Sequence, residues 1–356
     1  MLPPGDFLLL GAGGKMGQGI AELLLATIAE EALSTRIFSR RLTLVDPLSD
    51  RLVLLKHRLE KTARTFAERS IVSLRKKFQE GTSNREKVEN FASYLLDQCF
   101  FERGIEGVRG ELFVFEAAAE DVQIKTELFS RLAKQLPKNA LFFTNTSAIP
   151  IASLAKPIPG RLAGLHFYNP PPLQPIVEVV IPKDGDKALL TTIEALLAGW
   201  KKERVDSPDI VGFIGNGFMI PEIENALSLL PKLSVDQINQ LTKEKLFRPL
   251  GIFELVDFVG RDIVVAIGKV MGKDLTGVLN LPPTKRSTHH RKKMTEEEAI
   301  AEINKENDPS VHAYLEMLKK ISSDLFCKGV DQKALEKVLK LGFHHTFVPW
   351  DTRLKA

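Results

Sequence analysis

A glycine-rich turn between a short apolar run and an amphipathic segment constrains this chain more than any other feature. Phe7 to Leu10 is followed by Gly11, Gly13, Gly14, Gly17 and Gly19, with Lys15 and Met16 among them. Apolar residues then return at helical spacing from Ile20 to Ile28. That order reads as strand, tight turn, helix. Glycines let a backbone approach a pyrophosphate closely, and the helix start beyond them offers N–H groups and the positive end of a dipole. The strict G-x-G-x-x-G spacing lands on Met16, so Gly11, Gly13 and Gly17 form a variant one residue longer.

A second strand, Leu42-Thr-Leu-Val-Asp46, ends on a carboxylate. Such a group can accept both ribose hydroxyls of an adenosine and repels a 2′-phosphate, which favours NAD over NADP. Asp46 lies 29 residues past Gly17, where about 20 is usual. The extra length is assigned to an insertion over residues 30–39. If Arg40 and Arg41 curl over the end of this strand, they soften the preference for NAD.

Short strands and helices continue to alternate. Strands are expected over 111–119, 141–144, 162–167 and 176–181, and helices over 50–79, 125–136 and, after a turn, up to Leu154. This predicts an α/β, Rossmann-type doubly wound parallel sheet with helices on both faces. After about residue 205 helical periodicity takes over (218–231, 234–246, 252–272), which predicts an all-α C-terminal domain. The expected divisions are 1–207, 208–281, a charged linker over 282–309, and a helical extension over 310–356. The linker carries a basic block, Lys285 to Lys293, then an acidic one, Glu296 to Glu298. It is read as a solvated loop followed by a helix from about Thr295. Ser234-Val-Asp-Gln and Gly329-Val-Asp-Gln each precede an aromatic turn, at Phe247 and Phe343, which suggests a duplicated helical unit.

Composition narrows the function classes. A net charge of +4 from 49 basic and 45 acidic residues does not call for nucleic acid and suits a polyanionic small molecule equally well. Two cysteines build neither a disulfide framework nor a zinc site, and no metal is expected. The first residues lack a basic stretch ahead of their apolar run, and no apolar run approaches the roughly 18–20 residues of a membrane span. No membrane insertion is expected, and the expected location is the cytoplasm.

The most informative stretch is 143–182. Asn145-Thr-Ser147 follows one buried strand, Gly164-Leu-His-Phe-Tyr-Asn-Pro170 spans the next, and Glu178 sits within Ile-Val-Glu-Val-Val. A glutamate among Ile176, Val177, Val179 and Val180 is costly to bury unless it has a partner. His166 is the obvious one. A His–Glu pair fixes the imidazole tautomer and stabilises its protonated form, which suits proton removal from an alcohol during hydride transfer.

These residues resemble the L-3-hydroxyacyl-CoA dehydrogenases. The family's Gly-Leu-His-Phe-Phe-Asn-Pro is similar to Gly164–Pro170, with Tyr168 in place of one Phe. Its Ser-Asn-Thr-Ser resembles Thr144-Asn-Thr-Ser147, and its Leu-Val-Glu-Val resembles Ile176-Val-Glu-Val179. Its Thr-Pro-Gly-Phe-Ile-Val-Asn-Arg resembles Ile210-Val-Gly-Phe-Ile-Gly-Asn-Gly217, with Pro221 following. Its Pro-Met-Gly-Pro-Phe-Glu-Leu-Leu-Asp-Tyr-Val-Gly resembles Pro249–Gly260. The match covers about residues 5–265.

The resemblance implies a reaction: NAD-dependent oxidation of an L-3-hydroxyacyl-CoA to the 3-ketoacyl-CoA, as in fatty-acid β-oxidation. His166 would be the base and Glu178 would orient it. Ser147 and Asn216 would hydrogen-bond the substrate oxygen, and Asn169 would also contact substrate. Glu116 and Asn145 match positions near the nicotinamide. Thr62 and Arg69, on the basic stretch 56–77, match positions that contact CoA. The active site is expected between the two domains, and partners would be a second copy or a multienzyme β-oxidation assembly. The chain departs from the pattern at Gly217, where an Arg is usual, and at Pro175, where a Lys is common. The Gly329–Asp351 segment resembles the second helical repeat of members with duplicated C-terminal domains, which would replace dimer contacts by intrachain packing. The competing readings are a dehydrogenase of a non-CoA hydroxy acid on the same fold, and a catalytically retired homologue.

Overall fold

A computed structural model describes residues 2–35, 40–77, 81–284 and 294–354. The chain forms two compact units: residues 1–146 with 151–204, and residues 147–150 with 205–356.

The first unit runs β1 (Phe7–Leu10), α1 (Lys15–Thr35), β2 (Leu42–Val45), α2 (Ser49–Arg69), α3 (Ile71–Lys77), α4 (Asn84–Asp97) and β3 (Cys99–Glu102). It continues with β4 (Phe113–Glu116), α5 (Val122–Gln135), β5 (Leu141–Thr144), α6 (Ile151–Leu154), β6 (Leu162–Phe167), β7 (Ile176–Val180) and α7 (Lys187–Gly199), and within the last strand, β8 (Glu203–Asp206), the chain passes to the second unit. The sheet order is β3-β2-β1-β4-β5-β6-β7-β8. It is parallel from β3 through β6, and β7 then pairs antiparallel to β6. Strands β1, β2, β4 and β5 are buried along their whole length. They therefore read as continuous apolar runs rather than alternating ones, as expected for a sheet covered on both faces. Phe7, Leu9, Phe115 and Phe143 pack with Ile20 and Leu24 of α1, Leu55 and Leu59 of α2, Phe91 of α4 and Ile193 of α7. Each such side chain contributes roughly 1.5–3 kcal/mol when taken out of water.

Several boundaries differ from the sequence reading. The helix expected over 50–79 breaks at Ser70 into α2 and α3, and residues 78–80 lie outside the described residues. Helices α4 and α7 and strands β3 and β8 have no counterpart in the sequence reading. The extra length between Gly17 and Asp46 is largely helix, because α1 runs for 21 residues. Residues 36–39 of the expected insertion lie outside the described residues.

The second unit contains α8 (Gly215–Leu229), α9 (Val235–Gln240), α10 (Ile252–Val259), α11 (Arg261–Val270), α12 (Glu296–Ile303), α13 (Pro309–Cys327) and α14 (Gln332–Lys337). The helix expected over 252–272 is two helices. Gly260 has φ +116°, a backbone state that side-chain-bearing residues avoid, and it ends α10 and starts α11. Thr295 caps α12 in a reciprocal box with Glu298. The basic block Lys285–Lys293 lies outside the described residues. Among the described residues, no helix is long and apolar enough to cross a membrane.

Two segments of the second unit, 234–247 and 331–344, follow a similar backbone course. Ser234 caps α9 and Asp331 caps α14. Each helix passes into a π-helical turn, over Leu241–Lys245 and Val338–Gly342. Each turn is followed by a non-glycine residue with positive φ, Phe247 at 53° and His344 at 56°. In this course Ser234 corresponds to Asp331 and Phe247 to His344, so the two Val-Asp-Gln stretches and Phe343 fall out of register with one another.

Candidate active site

The glycine turn follows β1, which lies between β2 and β4, the point where sheet order reverses and parallel sheets open a crevice. Gly11 has φ +70°, and a Cβ there would meet the Ala117 carbonyl oxygen at 2.5 Å. A Cβ on Gly17 would run into the Gly11 carbonyl oxygen. These two glycines are required by the turn's own closeness. Asp46 is buried at the end of β2. Its Oδ2 accepts from the Gly13 N–H at 3.0 Å and its Oδ1 from the Leu48 N–H at 3.0 Å. It thus braces the turn, and each carboxylate oxygen retains a further lone pair.

A cleft of about 770 Å³ opens here, lined by Gly11, Gly14, Asp46, Arg51, Arg103 and Ala117, among others. Lys15 and Met16 open α1 directly after Gly14, Lys15 exposed. The glycine cradle, the acidic strand end and a cleft of this size fit a dinucleotide. Arg40 and Arg41 do not approach Asp46. They precede β2 at its other end, where Arg40 pairs with Glu31 and lies over the Phe7 ring, and Arg41 lies over the Phe100 ring. The arginines that line the cleft with Asp46 are Arg51, Arg103 and Arg131, which sequence reasoning missed. Arg103 follows β3, a strand that gave no recognised signal.

Glu116 ends β4, fully buried. Its Oε1 accepts from Lys125 Nζ and from the Ala118 N–H, both at 2.6 Å, and its Oε2 from Thr144 Oγ1 at 2.6 Å. The group fixes the ends of β4 and β5, and Lys125 is a partner that sequence reasoning also missed.

Strand register creates the His–Glu pair. In the β6·β7 ladder His166 stands directly opposite Glu178, so both side chains share one face. His166 Nδ1 lies 2.9 Å from Glu178 Oε1. A carboxylate only accepts, so Nδ1 carries a hydrogen, and in the neutral ring Nε2 holds the lone pair. Glu178 has no exposed surface and His166 is nearly buried. The Tyr168 hydroxyl donates to the same Oε1 at 2.7 Å. Burial, then the Glu178 charge, pushes that phenol well above its usual range. Asn145 Oδ1 accepts from the Phe167 N–H at 3.0 Å, which holds the end of β6. Asn169, joined to Pro170 by a cis peptide bond, is partly buried just beyond.

Ser147 and Asn216 belong to the second unit. Asn216 lies in the first turn of α8, and its Nδ2 donates to the Ser147 carbonyl at 2.7 Å. The Gly212 N–H donates to the Ala148 carbonyl at 3.0 Å, which ties residues 147–150 to this helix start. The structure thus joins His166 with Glu178 and Ser147 with Asn216. Thr62, on α2, donates to Glu22 Oε1 at 2.9 Å and Arg69 is exposed at the end of that helix. Among the described residues, no group of three or more His, Cys, Asp or Glu is placed to hold a metal ion.

Comparison with known proteins gives concordant matches. A family model described as 3-hydroxyacyl-CoA dehydrogenase, NAD binding domain, matches residues 8–210. A second, for the C-terminal domain of the same family, matches residues 212–300. The mitochondrial hydroxyacyl-coenzyme A dehydrogenase of Sus scrofa is 34% identical over 259 residues, covering 70% of this chain and 74% of that one. A probable 3-hydroxybutyryl-CoA dehydrogenase of Bacillus subtilis is 25% identical over 272 residues, 75% of this chain and 86% of the relative. The crystal structure of 3-hydroxybutyryl-CoA dehydrogenase from Escherichia coli K12 shares the fold with a TM-score of 0.68 at 18% identity, covering 98% of this chain and 91% of that one.

Proposed function

The chain belongs to the 3-hydroxyacyl-CoA dehydrogenase family and is an NAD-dependent oxidoreductase; from that premise we propose that it interconverts L-3-hydroxyacyl-CoA and 3-ketoacyl-CoA. The observation that carries the proposal is the buried His166–Glu178 pair on adjacent strands of the nucleotide-binding sheet.

NAD, when bound, supplies the acceptor for the hydride leaving the substrate carbon. Gly11, Gly13, Gly14 and Gly17 would admit its pyrophosphate, with Lys15 and Met16 directly after Gly14. Asp46 would take the adenosine ribose hydroxyls, and Asn145 and Glu116 would shape the nicotinamide end. His166 takes the 3-hydroxyl proton at Nε2 while Glu178 holds the Nδ1–H and balances the charge that forms on the ring. In the reverse direction the same nitrogen returns the proton. Ser147 and Asn216 are proposed to hydrogen-bond the oxygen that becomes the ketone, Asn169 to line the substrate, and Thr62 and Arg69 to meet the CoA. The cytoplasm is proposed as the location, although the mammalian relatives are mitochondrial by name.

The test is consumption of NADH with acetoacetyl-CoA, run beside free acetoacetate, for wild type and His166→Gln. Turnover of the thioester alone, reduced by about a hundredfold or more in the variant, supports the proposal. Turnover of free acetoacetate alone would move the substrate class to a non-CoA acid. NADH binding without turnover of either would indicate a retired enzyme.

A further inference from the structure

Position 168 is a tyrosine where the motif that carries the family resemblance has a phenylalanine, and its hydroxyl is not idle. It donates to Glu178 Oε1 at 2.7 Å, the same oxygen that receives His166 Nδ1 at 2.9 Å. The two rings lie 5.3 Å apart, centroid to centroid. Three ionisable groups meet here: His166 on β6, Tyr168 just after it and Glu178 on β7. The polar contact from the β5 side is the Asn145 amide, which binds backbone rather than the carboxylate.

We propose that Tyr168 is a positioning residue: its hydroxyl takes a share of the carboxylate that holds His166, and so sets how strongly that imidazole holds its proton. Without the phenol, more of the buried carboxylate's charge falls on the imidazole and stabilises the imidazolium. A second donor on the same oxygen draws off part of that charge. The imidazolium is then less stabilised and gives up its proton at lower pH. The hydroxyl also keeps Glu178 in one rotamer, since two donors on one oxygen fix its direction. The consequence for catalysis rests on the proposed function, but the acid–base consequence does not.

The experiment is therefore an NMR titration of the His166 ring in wild type and Tyr168→Phe, with His166→Gln used to assign the resonance. The phenylalanine keeps the ring and removes only the hydroxyl. The expected result is a midpoint higher in Tyr168→Phe by roughly half to one pH unit, the scale on which one hydrogen bond to a charged group moves a neighbour. In turnover, the acid limb of hydroxyacyl-CoA oxidation moves up by the same amount, so the variant loses about three- to tenfold more activity below that limb than above it. An unmoved or lowered midpoint, with unchanged NADH binding and thermal stability, would overturn the inference. A raised midpoint in a protein that turns over no hydroxyacyl-CoA would keep it and remove the proposed substrate instead.

Discussion

Lys125 has only 1% of its side chain exposed, a position that lysine takes only with a partner. Its partner Glu116 is fully covered, and removing one member of a buried pair leaves the other charge uncompensated. Lys125→Met should therefore cost about 3 kcal/mol in urea unfolding, with partial recovery in the double variant Lys125→Met, Glu116→Gln, because the two sites are coupled. His345 gives the opposite lesson. Burial, then the Arg248 charge, then His344, holds its imidazole well below the usual value of 6.5. The unfolded chain therefore binds a proton near pH 6.5 that the folded chain refuses. The sign follows: the His345 contribution is complete above that pH and is lost progressively as pH falls below it. Thermal midpoints of wild type should fall more steeply between pH 7.5 and 5.5 than those of His345→Gln. Equal slopes would assign the acid sensitivity elsewhere.

At the scale of elements, helix α8 shows how a single glycine sets a packing distance. A Cβ on Gly217 would meet Leu325 Cδ2 of α13 at 2.9 Å, closer than ordinary contact. Gly217 also lines a cavity of about 310 Å³ with Pro221, Glu224 and Leu325, so an arginine here displaces the tip of the Leu325 side chain rather than backbone. Gly217→Arg should lower stability by about 1–3 kcal/mol through overpacking. Adding Leu325→Ala should restore part of that loss, whereas no recovery would mean that the side chain is accommodated elsewhere. The short helices are marked by polar signals instead. Ser83 and Glu86 form a reciprocal cap on α4, and hydrogen bonds from Thr82 and Ser83 hold the Glu86 carboxyl at about 2. Ser83→Ala should cost about 1 kcal/mol, visible as earlier amide exchange in α4.

At the scale of the molecule, the extension beyond residue 308 is part of the second unit's core. The Tyr314 hydroxyl of α13 donates at 2.9 Å to Glu222 Oε1 of α8, which also pairs with Arg248, and all three residues are buried. Val311, Leu315, Leu318, Ile321 and Leu325 of α13 are buried as well. A chain ending at Asp308 should expose the apolar face that α13 covers. Size-exclusion chromatography should then show more self-association than for the full chain, and an unchanged elution profile would sink this account. The sequence by itself determined the glycine turn between strand and helix, the two-part division into sheet and helices, and His166 and Glu178 as residues to follow, whereas Asn216 came from the resemblance to a family. Those signals are local: glycines that only a tight turn needs, a strand-end carboxylate, a glutamate too costly to bury alone. The tertiary structure decided what depends on partners distant in the chain. Register set His166 opposite Glu178 and brought Tyr168 to the same oxygen. Sheet order put Arg51 and Arg103, rather than Arg40 and Arg41, beside Asp46. The capping residues and π-helical turns, not the aromatic side chains, fixed how the segments 234–247 and 331–344 correspond. A side chain's type can be read from one position, but its electrostatic environment is made by whichever strands and helices fold against it.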